Sequence, residues 1–60
     1  MYELITVTER GYLFVDLEDR LDVLQDYYEM RLNARDTMSL MLIEIDPRTC
    51  EGKVLRTARP

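Results

Sequence analysis

The amino-acid sequence predicts a small α+β domain in ββαββ order, with one amphipathic helix packed on an antiparallel sheet. Three observations predict it. Tyr2–Thr8 and Tyr12–Val15 are rich in β-branched and aromatic residues, and the three residues between them include Gly11. From Leu17 onward, apolar residues recur at Leu21, Leu24, Tyr28 and Leu32, which is the spacing of one helix face. Strand-like runs then resume at Met38–Ile45 and Lys53–Ala58, divided by a stretch holding Pro47 and Gly52.

Each element has its own signal. Tyr2–Thr8 alternates in part and reads as a strand. Glu9-Arg10-Gly11 reads as a tight turn, with Gly11 free to take a positive φ. Tyr12–Val15 resumes the β pattern, so the first two strands form a hairpin. Asp16 is the expected N-cap of the helix, and Asp19 lies three positions on, where a capping box places its acid. The helix is expected from Leu17 to Arg35, with acids in its first turns and Arg31 and Arg35 in its last, as the helix dipole favours. Asn33 or Asp36 marks its end. Met38–Ile45 is apolar on both alternating sets, Leu40 and Leu42 on one side and Met41, Ile43 and Ile45 on the other. Asp46–Gly52 reads as a turn, Lys53–Ala58 as the last strand, and Pro60 as the end of a frayed tail. Residues 1–60 read as one domain without repeat, linker or low-complexity tract.

Sixty residues leave a thin margin for a core. Chains this small usually add disulfides, a structural metal or oligomerisation. Cys50 is the single cysteine and there is no His, so neither an internal disulfide nor a zinc site of the usual nitrogen and sulfur type is expected. Self-association remains, and a homodimer is the expectation. No apolar run approaches the ~20 residues that span a bilayer. No N-terminal basic and apolar leader pattern is visible, and an unpaired cysteine suits a reducing compartment. The expected location is the cytosol, with no membrane partner.

Charge is unevenly divided. The net charge is −4, with −6 in residues 1–30 and +2 in residues 31–60. On a helical wheel, Glu18, Asp22, Asp26 and Glu29 form an acidic stripe opposite the Leu17/Leu21/Leu24/Tyr28/Leu32 face. Such a stripe is ordinarily a solvated face. Its functional reading is a contact with a basic surface on a protein partner, or mimicry of nucleic-acid phosphates. Val23, Tyr27, Met30 and Ala34 form a second apolar set, roughly 100° from the first. A curled sheet could cover both sets. The alternative makes Val23, Tyr27 and Met30, with Met41 and Ile43 of the third strand, a two-fold dimer interface.

The equipment for catalysis is sparse. Without His there is no imidazole base for a Ser or Cys nucleophile. Ser39 lies in an apolar strand and Cys50 in a turn, and two isolated glycines make no phosphate loop. Asp22 and Asp26 form a carboxylate pair on a helix surface with no evident cleft. No catalytic residue, metal or cofactor is expected. Arg48, Lys53, Arg56 and Arg59 could follow a phosphate backbone as a basic ribbon, but the cluster is short and the chain is acidic, which argues against nucleic-acid binding. The expectation is therefore a non-enzymatic protein-binding module, an inhibitor or adaptor, acting through the acidic helix face or an exposed strand edge. A structural or accessory subunit of a larger complex is the alternative. In size and charge the chain is similar to short acidic phage-encoded inhibitors of host enzymes or defence systems, an analogy in which no motif takes part.

Overall fold

A computed structural model describes residues 1–59; the tail expected at Pro60 lies outside them. The elements are β1 (Tyr2–Thr8), β2 (Leu13–Glu18), α1 (Leu21–Leu32), β3 (Thr37–Ile45) and β4 (Gly52–Ala58). This is the expected ββαββ order. The four strands form one antiparallel sheet in the spatial order β2-β1-β3-β4. β1 is therefore central and hydrogen-bonds both β2 and β3. β2 and β3 run parallel to each other with β1 between them, so α1 is the crossover of a split βαβ unit.

The first turn follows its chemistry. Thr8 N–H donates to the Tyr12 carbonyl at 3.0 Å, and Gly11 N–H donates to the Thr8 carbonyl at 2.9 Å. Gly11 has φ +84°. This is the three-residue hairpin loop that closes on a left-handed residue, usually glycine. The second hairpin turn puts a different residue in that role. Cys50 has φ +61°, its N–H donates to the Asp46 carbonyl at 2.7 Å, and the Asp46 side chain accepts from Arg48 N–H at 2.8 Å. A side chain with a Cβ in the left-handed region costs about 1–2 kcal/mol. Cys50→Gly removes that strain and gives back part of the gain to unfolded-chain freedom. A net stabilisation of about 0.5–1 kcal/mol is expected, read as a raised midpoint in urea unfolding.

Helix and sheet enclose a one-sided core. Leu4 of β1, Leu24 and Tyr28 of α1, and Leu40 and Leu42 of β3 are buried together, with Tyr2, Leu21, Tyr27, Leu32 and Ala58 packed around them. Thr6, Thr8 and Thr37 continue the same sheet face as buried polar residues. Leu40 and Leu42 point to the helix, as their alternation predicts. Arg56 lies over the Tyr28 ring at 4.1 Å and pairs with Glu29 at 3.0 Å, which ties β4 to the helix.

The helix begins later than its apolar spacing suggests. Leu17 belongs to β2, not to the helix, and the N-cap is Arg20, which makes no side-chain capping bond. Asp16 is likewise a strand residue, and Asp19 lies in the short link before the helix. The competing gain is visible. Continuing β2 to Glu18 adds the pairs Leu4↔Asp16, Glu3↔Leu17 and Tyr2↔Glu18. It also delivers the Asp16 carboxylate to Arg31. A cap is worth roughly 1 kcal/mol, and three ladder positions with a charged hydrogen bond outweigh it. At the other end the helix stops at Leu32 rather than Arg35. Asn33 is the C-cap, and its side-chain amide donates to the Glu29 carbonyl at 3.0 Å. Arg59 then reaches back across the fold, donating to the carbonyls of Leu32, Ala34 and Thr37. The Leu32 carbonyl lies at the helix end, where acceptors lack an intrahelical partner.

Candidate functional site

α1 covers one face of the sheet, and no element among the described residues covers the other. By the strand registers, Leu13, Val15 and Leu17 of β2 lie on the open face beside Val7, Ile5 and Glu3 of β1. Met41, Ile43 and Val54 continue that face across β3 and β4. Exposures are 63% for Leu13, 50% for Val15, 55% for Leu17 and 52% for Val54. A Cβ built on Gly52 would meet Ile43 Cγ2 at 3.1 Å, so the Ile43 side chain lies close over the β4 backbone. Among the residues of this face only Glu3 is charged.

The two sheet edges differ. β4 carries Lys53 and Arg56 and is bulged between its pairings with Leu42 and Ile43, and charge and bulges both discourage further strand pairing. β2 pairs with β1 without any register shift, contains no Pro, Lys or Arg, and is largely exposed. Its free backbone groups follow from the turn. Thr8 N–H donates to Tyr12 O, so Thr8 and Tyr12 face each other as a hydrogen-bonded pair. The alternation of an antiparallel ladder then makes Thr6/Phe14 and Leu4/Asp16 bonded pairs. Leu13, Val15 and Leu17 fall between them and turn their N–H and C=O outward, away from β1. One strand thus offers an unpaired backbone edge and an apolar side-chain row at the same three residues.

The predicted acidic stripe is shorter and less free than the wheel implied. Glu18 lies in β2, opposite Tyr2, and is off the helix. Asp22 accepts two hydrogen bonds from Arg20, at 3.1 and 2.6 Å, which hold its carboxyl below the usual carboxylate pKa. Glu29 pairs with Arg56. Asp26, on the exposed side of the helix, has no ion-pair partner among the described residues.

The predicted dimer residues separate into two groups. Val23, Tyr27 and Met30 lie on α1; Val23 and Tyr27 are half-buried and Met30 is exposed. Arg31 stands 5.7 Å from the Tyr27 ring centroid. Met41 and Ile43 lie on the opposite side of the sheet. One flat interface does not take in both groups. The basic cluster is also dispersed, since Arg56 serves Tyr28 and Glu29 and Arg59 serves the helix end, while Arg48 and Lys53 flank the second turn.

Hollows are shallow. A cleft of about 220 Å³ lies between Phe14, Arg31 and the buried threonines Thr6, Thr8 and Thr37, below the usual range for small-molecule sites. A wider open hollow lies beside Met1, Arg48, Glu51 and Lys53. Among the described residues no three His, Cys, Asp or Glu side chains gather as a metal site. Among the described residues no helix is long and apolar enough to cross a membrane. The helical spacing of Leu17 with Leu21 hides the β2 edge in the sequence, because Leu17 belongs to β2. The alternation of Leu13, Val15 and Leu17 against Phe14, Asp16 and Glu18 was the signal that could have found it. Compared with known proteins, the chain matches no family model, no curated protein and no solved structure.

Proposed function

We propose that the chain is a non-enzymatic protein-binding module, an inhibitor or adaptor that takes an extended segment of its partner as a fifth strand on β2. The observation that carries this reading is the open edge of β2, with outward backbone groups at Leu13, Val15 and Leu17 and neither bulge nor cation to block approach. Strand addition of this kind draws affinity from main-chain hydrogen bonds and specificity from alternate side chains. Of the two modes that the sequence suggests, the edge is favoured over the acidic helix face. Two stripe carboxylates already hold arginines of this chain, and engaging a basic partner would first mean giving those up. The exposed, unpaired Cys50 fits a reducing compartment such as the cytosol.

Val15→Pro isolates the edge. Proline keeps an apolar side chain of similar size but deletes the outward N–H, and an edge strand tolerates it there. Affinity capture from the native host is expected to enrich a partner with the wild-type chain and with Asp22→Lys/Asp26→Lys, and to lose it with Val15→Pro. Capture that survives Val15→Pro and fails with the helix charge reversal moves the contact to α1 and overturns the edge reading.

A further inference from the structure

We infer that a second copy of this chain covers the open sheet face, the two sheets stacking into a two-layered sandwich. This surface is distinct from the β2 edge, and the inference stands whether or not the edge binds a partner.

The first argument is that the domain is half of a layered structure. Stable domains bury both faces of a sheet or leave one polar. Here α1 lies on one face, and the other presents Leu13, Val15, Leu17, Ile5, Met41 and Ile43 with one charged residue, Glu3. The molecule measures 36 × 20 × 15 Å. Its accessible surface is 4465 Å², against about 4,100 Å² expected for a folded monomer of this mass. The excess is that of a molecule thin for its size with one apolar side uncovered.

The second argument is area. Four strands about 4.8 Å apart and about seven residues long at ~3.3 Å each give a flat footprint of about 440 Å². The side-chain relief of Leu13, Leu17 and Met41 adds to that. Two such faces together approach the roughly 1,200 Å² total at which specific interfaces begin. Sheets stack at about 10 Å with interdigitated side chains, which needs no groove or cleft.

The third argument is chemical matching. A face with a single charge offers no electrostatic handle to a charged partner, so its cover must be an apolar surface of similar extent. The open face is itself such a surface, and a two-fold pairing of identical patches closes on itself without leaving another open. The acids of α1, Asp22, Asp26 and Glu29, lie on the outer sides of such a pair, where their mutual repulsion is screened. Stacking also leaves both β2 edges free, so the dimer presents two of them.

Sedimentation equilibrium on the full chain tests this. At about 100 µM, a concentration at which a Kd of about 10 µM or tighter leaves mostly dimer, the wild type is expected to run at twice its 7.2 kDa chain mass. Met41→Lys puts a charge at the centre of the face, on an inner strand that offers no edge, and is expected to give a monomer with unchanged far-UV circular dichroism. If that variant unfolds, Val54→Lys serves in its place, because Val54 is already half exposed in the single chain. Val15→Pro, which deletes the outward edge N–H but keeps an apolar side chain of similar size at the rim of the face, is expected to leave the dimer intact. A monomeric wild type at this concentration overturns the inference. So does a dimer that the lysine variants spare, and so does one that Val15→Pro splits. Partner capture on the edge responds to Val15→Pro and not to Met41→Lys, so the two readings fail separately.

Discussion

Leu24→Ala is expected to leave the chain largely unfolded at room temperature. Leu24 is one of two fully enclosed helix residues, and it is buried in one cluster with Tyr28 and the leucines of β1 and β3. Truncating a buried leucine costs about 2–5 kcal/mol, the larger values where the site cannot collapse. The total stability expected of 60 residues is only about 3–9 kcal/mol. With five buried apolar side chains among the described residues, few neighbours can move in to fill the space. The readout is a thermal melt followed by circular dichroism, with a fall of at least about 10 °C or loss of the transition. Met30→Ala on the same helix is the matched comparison. Met30 is exposed, so its truncation is expected to stay within about 0.5 kcal/mol of wild type. Equal effects at the two positions would contradict the core assignment.

Arg31→Met is expected to be the most damaging change of a charged residue. The guanidinium of Arg31 joins three elements: it donates to Asp16 on β2 and to Thr6 on β1, and it approaches Tyr27 on its own helix. Both partners of the Arg31–Asp16 pair are more than two-thirds shielded from water, whereas Arg20–Asp22 and Arg56–Glu29 are far more open. Shielded charged hydrogen bonds are worth about 1.5–3 kcal/mol, and exposed pairs less than about 1. A cost of about 1.5–3 kcal/mol is expected for Arg31→Met, against under about 1 kcal/mol for Arg20→Met. A double-mutant cycle with Asp16→Asn locates the source. Strict additivity of the two changes would mean that the pair contributes nothing.

Periodicity carried much of this fold, and it carried the parts that a residue's immediate neighbours decide. Leu21, Leu24, Tyr28 and Leu32 face the core as their spacing requires, and Leu40 and Leu42 separate from Met41 and Ile43 across the sheet. Leu17 shows why the rest was hidden. It lies four residues before Leu21 and two after Val15, so it satisfies a helical and a strand pattern equally well. Asp16 likewise suits an N-cap or a strand. What decides between them is distant in sequence: β1 to pair with and Arg31 to receive the carboxylate. The same shift moved Glu18 out of the acidic stripe and revealed the β2 edge. The arginines at positions 20 and 56, which partner two of the remaining stripe carboxylates, have no local pattern that assigns them that role.

The central place of β1 governs the order in which the sheet can be assembled. Its first neighbour is reached by closing a loop of three residues, but its second, β3, begins at Thr37, beyond the hairpin and the entire helix. Closing that long span loses chain entropy before any contact repays it. Until it closes, β1 has one side of its backbone unpaired, and Leu4 has neither Leu40 nor Leu42 to meet. The early hairpin is therefore a template waiting for its complement. The expected slow event in folding is the arrival of the third strand, with the helix docking as that strand seats.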